Sequence, residues 1–435
     1  MAEEFQRLAA FKYRDFRLLW TGEMVSTVGS QMQLFAINWH IFELLRGQTF
    51  MIELFGNEIT LGSEAFGLGL LGLVRVIPIM LFALAGGMLA DAIDRRRLML
   101  GTRVVSALLA GVLTVLTLSD QIDVNTIYLL SALASAATVF DSPARQSIVA
   151  NLVEPKHLPN AISMNTLIFQ IGTILGPAVA GLLVAQFNIG IVYGINTVTF
   201  FVAIAAIWMI RHRGAIESRA TIGWQSLVEG IRFTFGTRII MGTMLLDFFA
   251  TLFSSARTML PIVAGDILGV GAVGYGILAT AQPIGALIVG LVLSLRDELK
   301  KQGVVLLWAV AIYGVATAVF GVSTSFALSF VMFAITGAAD TVSMVIRGTI
   351  RQLMTPDELR GRMVSVNMMF FMGGPQLGEL EAGLVAAIWG TPFAIFTGGI
   401  ATVLLTAWVA WQYPSIRTYY NADDLKRKNE ALNAQ

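Results

Sequence analysis

Residues 86–97 read Gly-Gly-Met-Leu-Ala-Asp-Ala-Ile-Asp-Arg-Arg-Arg. An apolar run that begins near residue 66 ends in this stretch, on two glycines, an acid and three arginines. About 20 apolar residues are enough for a helix to cross a bilayer. Glycines let helix backbones approach closely inside a membrane, and arginines collect where a span leaves it on the cytoplasmic side. The stretch therefore reads as the cytoplasmic end of a membrane helix. Asp91 stands at the edge, where a carboxylate can bond the N-terminus of a neighbouring helix or an arginine.

The same pattern recurs along the chain. Spans are expected at 16–44, 66–90, 98–119, 125–149, 162–186, 190–210, 240–264, 272–295, 303–322, 326–346, 364–388 and 392–413. Of 435 residues, 56% are hydrophobic and 13% charged, about half the charge of a soluble domain, so most of the outer face must meet lipid. Apolar runs without two-residue alternation exclude a barrel and leave helices. The first connection outside, 46–65, is long. Met1 to Arg17 interleaves Arg7, Lys12, Arg14 and Arg17 with Phe5, Leu8, Phe11 and Phe16. It reads as an interfacial helix and not as a cleavable signal. The chain has no cysteine, which rules out disulfides and thiolate metal sites.

With the N-terminus cytoplasmic, all of the 29 Lys and Arg except Arg46, Arg75 and Arg257 fall on the inner side. Glu53, Glu58, Glu64, Asp120, Asp123 and Asp266 fall on the outer connections. Both termini are then cytoplasmic and the number of spans even. A repeat of about 200 residues supports this. Ala144-Arg145-Gln146-Ser147-Ile148, then Pro155, Leu158, Ser163 and Asn165, is matched by Ile346-Arg347-Gly348-Thr349-Ile350, then Pro356, Leu359, Ser365 and Asn367. Each copy leads to a Gly-Pro pair, Gly176-Pro177 and Gly374-Pro375. The expected fold is an all-α membrane protein of twelve transmembrane helices in two pseudo-symmetric six-helix bundles. The expected divisions are 1–210, a cytoplasmic linker 211–239, 240–413, and a cytoplasmic tail 414–435.

Gly87, Asp91, Arg95 and Arg96 resemble the loop 2–3 signature of the major facilitator superfamily, although Ala92 stands where that signature has an arginine. The resemblance implies a conformational latch; the alternative is a basic cluster that only sets topology. Gly172, Gly176, Pro177 and Gly181 in the fifth span resemble the antiporter motif of the same superfamily, which is associated with export; the alternative is a plain packing face. Phe16-Arg17-Leu18-Leu19-Trp20, Asp141-Ser142-Pro143-Ala144-Arg145 and Asp357-Glu358-Leu359-Arg360-Gly361-Arg362 together resemble the branch of the enterobactin exporter and the macrolide efflux proteins.

Ionisable groups inside spans are costly and mark candidate sites. Glu23 and Asp247 lie in the inner parts of spans one and seven, as candidate repeat equivalents for proton coupling or as structural hydrogen-bond partners. Glu379 and Glu381 are further proton candidates, but they stand about 200° apart on a helix, so at most one faces a cavity. Arg75 and Arg257 are candidates for an anionic substrate group or a charge pair. Asp141 and Arg145, at i and i+4, read as a gate or clamp near the cytoplasmic end of span four.

The three histidines are dispersed and give no metal signal. No Walker motif or catalytic constellation is present, so neither an enzyme nor a cofactor is expected. The reading is a secondary transporter in the bacterial inner membrane, exporting amphiphilic drug-like or siderophore-like molecules by proton antiport with alternating access. Its partners are a small-molecule substrate, protons and membrane lipids. No nucleic acid is expected, and a monomer is. A lipid or lysolipid carrier, or a non-transporting sensor on the same fold, are the alternatives.

Overall fold

Caps and turns legible in the sequence start and stop the helices. Asp94 accepts from the amide of Arg97 at 3.0 Å, Asp123 from that of Thr126 at 3.1 Å, and Asn188 from that of Gly190 at 2.7 Å. Each satisfies an amide that a helix start leaves unbonded. The Thr126 hydroxyl and amide hold the Asp123 carboxyl below its usual range. Gly390, at φ +89°, takes a left-handed turn that side chains resist.

The computed structural model describes residues 9–54, 57–211, 224–296, 300–356 and 359–420; within these, the side chains of 50, 52–60, 83–92 and scattered positions in 224–230 and 361–372 lie outside the description. The helices are α1 Arg14–Leu45, α2 Ser63–Ala92, α3 Arg95–Leu118, α4 Val124–Leu152, α5 Leu158–Gln186, α6 Ile189–Trp208, α7 Trp224–Gly236, α8 Arg238–Phe253, α9 Gly271–Ser294, α10 Gln302–Val322, α11 Phe326–Met354, α12 Arg360–Trp389, α13 Thr391–Gln412 and the short α14 Pro414–Arg417. The seventh span continues from α8 through a 3-10 turn, Ala256–Met259, and a π turn, Val263–Ile267.

Among the described residues, ten helical segments are long and apolar enough to cross a membrane. The other two long helices, α1 and α12, carry Glu23 and Glu43, and Glu379 and Glu381; with them the expected twelve are present. Leu108, Val115, Leu129, Leu404 and Trp411 are each at least 60% exposed, a surface that lipid covers and water would not tolerate.

Three expectations change. Part of the connection 46–65 is not a loop but an antiparallel hairpin of β1 Thr49–Leu54 and β2 Asn57–Gly62, with Thr49 opposite Gly62 and Leu54 opposite Asn57. The start of the chain is not an interfacial helix over its described part. Ala9–Lys12 is a 3-10 turn folded onto the bundle, with the Ala10 amide on Asn160 Oδ1 at 3.0 Å and Phe11 against Phe16 and Trp20. The tail is not wholly solvated: Ile416 and Tyr419 are buried, and the carbonyls of Tyr420 and Tyr419 accept from the amides of Gln302 and Gly303 at 2.9 and 3.1 Å, two of the unbonded donors at the start of α10.

The chain divides into two compact units. Unit 1 is Met1–Gln48, Leu70–Ala220 and Pro261–Thr280; unit 2 is Thr49–Gly69, Thr221–Leu260 and Ala281–Gln435. Close glycine contacts account for the two exchanged segments. In unit 1, a Cβ on Gly276 would lie 2.6 Å from the Pro177 carbonyl oxygen, and one on Gly181 would lie 2.7 Å from that of Ala272. In unit 2, a Cβ on Gly69 would lie 2.7 Å from Gly383 Cα. The main core of unit 1 gathers Phe16, Leu19, Met99, Ile148, Met164 and Ile207. That of unit 2 gathers Ile240, Met244, Leu306, Ile350, Val409 and Ile416.

Candidate functional site

Unit 1 has a basic end, marked by Arg95–Arg97, and an acidic end, marked by Asp120 and Asp266. Two turns into α3 from the basic end, Arg103 reaches across to α1 and α4. Its Nη2 lies 2.7 and 2.8 Å from the two carboxylate oxygens of Glu23 and 3.0 Å from Asp141 Oδ2. Thr102 Oγ1 lies 3.0 Å from Asp141 Oδ1 and can donate to it. Arg145 approaches Asp141 to 3.6 Å and Glu23 to 3.8 Å, close enough for attraction but too far for a hydrogen bond. The Glu23 side chain is only 2% exposed. Two acids and two arginines thus form a formally neutral group tying α1, α3 and α4 together.

Unit 2 holds a second group of the same composition. Asp247 on α8 lies 2.5 Å from Arg347 Nη1 and 3.3 Å from Arg351 Nη2, both on α11. Arg347 also approaches Asp340 at 3.5 Å. Arg351 donates to Asn367 on α12 and lies 3.4 Å from Thr243 Oγ1. Arg347 and Arg351 are buried. A buried arginine is tolerated because a carboxylate offsets much of its desolvation cost.

The candidates separate into those brought together and those not. Glu23, Asp141 and Arg145 form one group, and Asp247 anchors the other. Arg103, Asp340, Arg347 and Arg351 belong to these groups and were missed. Arg347 and Arg351 stand beyond the apolar stretch of α11, which runs on to Met354; Arg103 and Asp340 fall inside the expected spans 98–119 and 326–346 but are not among the candidate ionisable groups named from the sequence. The signal that could have found Arg347 was its alignment with Arg145 in the repeat. Arg95 is buried. Arg96 donates to the carbonyls of Ile207 and Trp208 at 3.0 and 2.5 Å, closing the C-terminal end of α6, where a cation is favourable. Gly87 and Asp91 lie in the helical backbone at the end of α2, but their side chains are outside the described residues.

Gly172 and Gly176 face α1: a Cβ on Gly172 would lie 2.8 Å from Thr27 Cγ2, and one on Gly176 would lie 3.1 Å from the Met32 amide nitrogen. Pro177 and Gly181 face α9, as described above. The motif of the fifth span is therefore a packing stripe with two partners. Arg75 is half-buried on α2. Arg257 is exposed, in the 3-10 turn of the seventh span, and no hydrogen bond or ion pair reaches it among the described residues. Glu379 and Glu381 are half-buried on α12. These four lie outside both charge groups. No set of three or more His, Cys, Asp or Glu suited to a metal occurs among the described residues.

The profile of the transmembrane secretion effector family matches residues 6–433. The chain belongs to that family of the major facilitator superfamily. It is a transporter and not an enzyme. Among relatives of this chain, the staphyloferrin A transporter of Staphylococcus aureus (strain NCTC 8325 / PS 47) is 25% identical over 80% of this chain and 88% of its own. The multidrug efflux pump Tap of Mycolicibacterium fortuitum is 27% identical over 83% and 93%. The enterobactin exporter EntS of Shigella boydii serotype 4 (strain Sb227) is 24% identical over 87% and 86%, in line with the branch expected from the motifs. The crystal structure of the nucleoside transporter NupG superposes with a TM-score of 0.71 at 12% identity, covering 93% of this chain and all of that one. That likeness is one of fold, and it agrees with a multi-pass membrane protein of the twelve-helix type.

Proposed function

We propose that this protein exports amphiphilic small molecules, drug-like or siderophore-like, in exchange for protons and by alternating access. The observation that carries the proposal is Glu23, buried in α1 and bonded through one arginine to α3 and α4. An acid kept at such cost in a membrane helix points to use. A proton added to Glu23 cancels the charge that Arg103 grips. Arg103 and Arg145 are then left to Asp141 alone, and α1 is freed from its neighbours. Asp247 plays the equivalent part against Arg347 and Arg351. A substrate that prefers the freed arrangement is thereby coupled to the proton, since both act on one equilibrium. The relatives named for siderophore and multidrug transport support the substrate class. The basic end of unit 1 faces the cytoplasm in this reading, and the sequence halves 1–210 and 240–413 move about the linker 211–239.

The test is efflux of a fluorescent amphiphilic dye from proteoliposomes with and without an imposed pH gradient. Gradient-driven movement should occur in the native protein. It should fail in Glu23→Gln and in Asp247→Asn, while downhill movement persists. Transport indifferent to the gradient sinks the coupling, and full activity in both variants sinks the assignment of the acids.

A further inference from the structure

We infer that the acidic end of unit 1 carries a binding site for small amphiphilic ammonium ions. A cavity of about 330 Å³ opens there, between the end of α1, the α3–α4 connection and the α5–α6 connection. Its volume falls in the range of small-molecule sites, roughly 300–1,000 Å³. Its polar lining includes His40, Glu43 and Asp120, and its walls include Ile122, Val184 and Phe187. No lysine or arginine lines it.

Each of the three polar groups has acceptor capacity to spare. His40 is only 6% exposed; its Nδ1 lies 3.2 Å from the hydroxyl oxygen of Tyr193, and its Nε2 has no hydrogen-bond partner among the described residues. With the Nδ1 hydrogen given to Tyr193, Nε2 becomes an acceptor. One Glu43 oxygen accepts from Trp39 Nε1 at 2.7 Å, and the other is unbonded among the described residues. The Asp120 side chain has neither hydrogen bond nor ion pair among the described residues; the backbone, at φ +54°, turns the chain there.

The neighbouring charged groups are already engaged. Arg46, one turn beyond Glu43, lies 2.6 Å from Asp266 and over the Phe42 ring at 5.4 Å. Asp123 caps α4. Two carboxylates and a ring nitrogen are therefore left, with no competing cation in the lining. A primary ammonium offers three donors and no acceptor, and the apolar walls suit a short hydrocarbon body. An anion would meet two like charges.

The experiment compares three isosteric probes on the full chain in detergent: 2-phenylethylammonium, 3-phenylpropionate and 2-phenylethanol. A specific binder of the folded state raises its apparent stability. The ammonium should raise Tm saturably by a few degrees and the other two should not. Glu43→Gln and Asp120→Asn should each abolish the rise, scored against each variant's own Tm. Asparagine tolerates the left-handed backbone at 120, so that variant is expected to fold. Glu154→Gln, at an exposed carboxylate away from the cavity, should keep the response. An equal rise with 2-phenylethanol, no rise in the native protein, or a rise retained in both cavity variants overturns the inference.

Discussion

Arg103 is a residue whose loss the structure makes costly in a particular way. Its guanidinium is held by Glu23 and Asp141, and both acids sit away from water. Removing one partner of a buried ion pair leaves an uncompensated charge, at about 3–5 kcal/mol. Arg103→Ala should therefore lower thermal stability strongly, and adding Glu23→Gln to it should recover part of the loss. A double-mutant cycle by thermal unfolding measures this; strictly additive losses would mean that the two groups do not act as a pair. The acids of this group were legible in the sequence because an acid within an apolar run stands out. Arg145 was legible through its i, i+4 spacing from Asp141; Arg103 was not, because the rule that orients the chain also absorbs an arginine near a helix end as topology. In unit 2 the repeat, which sets Arg347 against Arg145, is the signal that separates the buried Arg347 from an orienting arginine.

At the scale of elements, two helix contacts depend on the absence of a side chain. Gly181 and Gly276 bring α5 and α9 together, and Gly69 and Gly383 bring the start of α2 against α12. A methyl group at any of them meets backbone, which cannot rotate away. Gly276→Val should cost at least the roughly 1–3 kcal/mol of an overpacked core, read as a lower Tm, while Gly101→Val, with open space around it, should cost much less. The start of α10 gives a second expectation. Truncation after Tyr413 removes the carbonyls that accept from Gln302 and Gly303, together with buried Ile416 and Tyr419. Tm should fall, although the deleted segment looks like a polar tail in sequence.

The hairpin of β1 and β2 was missed for a related reason. Thr49-Phe50-Met51-Ile52-Glu53-Leu54 lacks clean alternation, so period alone does not separate strand from loop. Helix existence was legible from apolar length. Helix ends were less so, because α4 and α11 continue on polar residues held by the groups that the sequence could not assemble.

For the whole molecule, orientation is open to direct measurement because the chain has no cysteine. Gln121→Cys, at the acidic end of unit 1, should react with a membrane-impermeant thiol reagent in intact cells. Lys300→Cys should react only after permeabilisation. The reverse pattern would invert the proposed topology. The twelve-helix plan was readable from composition, basic clusters and repeat, since each reports on the bilayer and not on particular contacts. The exchange of segments between units was not readable, because it is made by backbone contacts at glycines that look like any other glycines in an apolar run.

That exchange bears on how the protein is made. A ribosome that has completed residue 220 has delivered only part of unit 1, because the unit closes with residues 261–280. The segment 49–69 meanwhile emerges early and must wait for partners in α12, among the last helices synthesised. The contacts of both units are therefore completed only once residues 261–280 and α12 have been made. A gene cut at the linker would yield two polypeptides, each withholding a piece the other needs, and they should accumulate together or hardly at all.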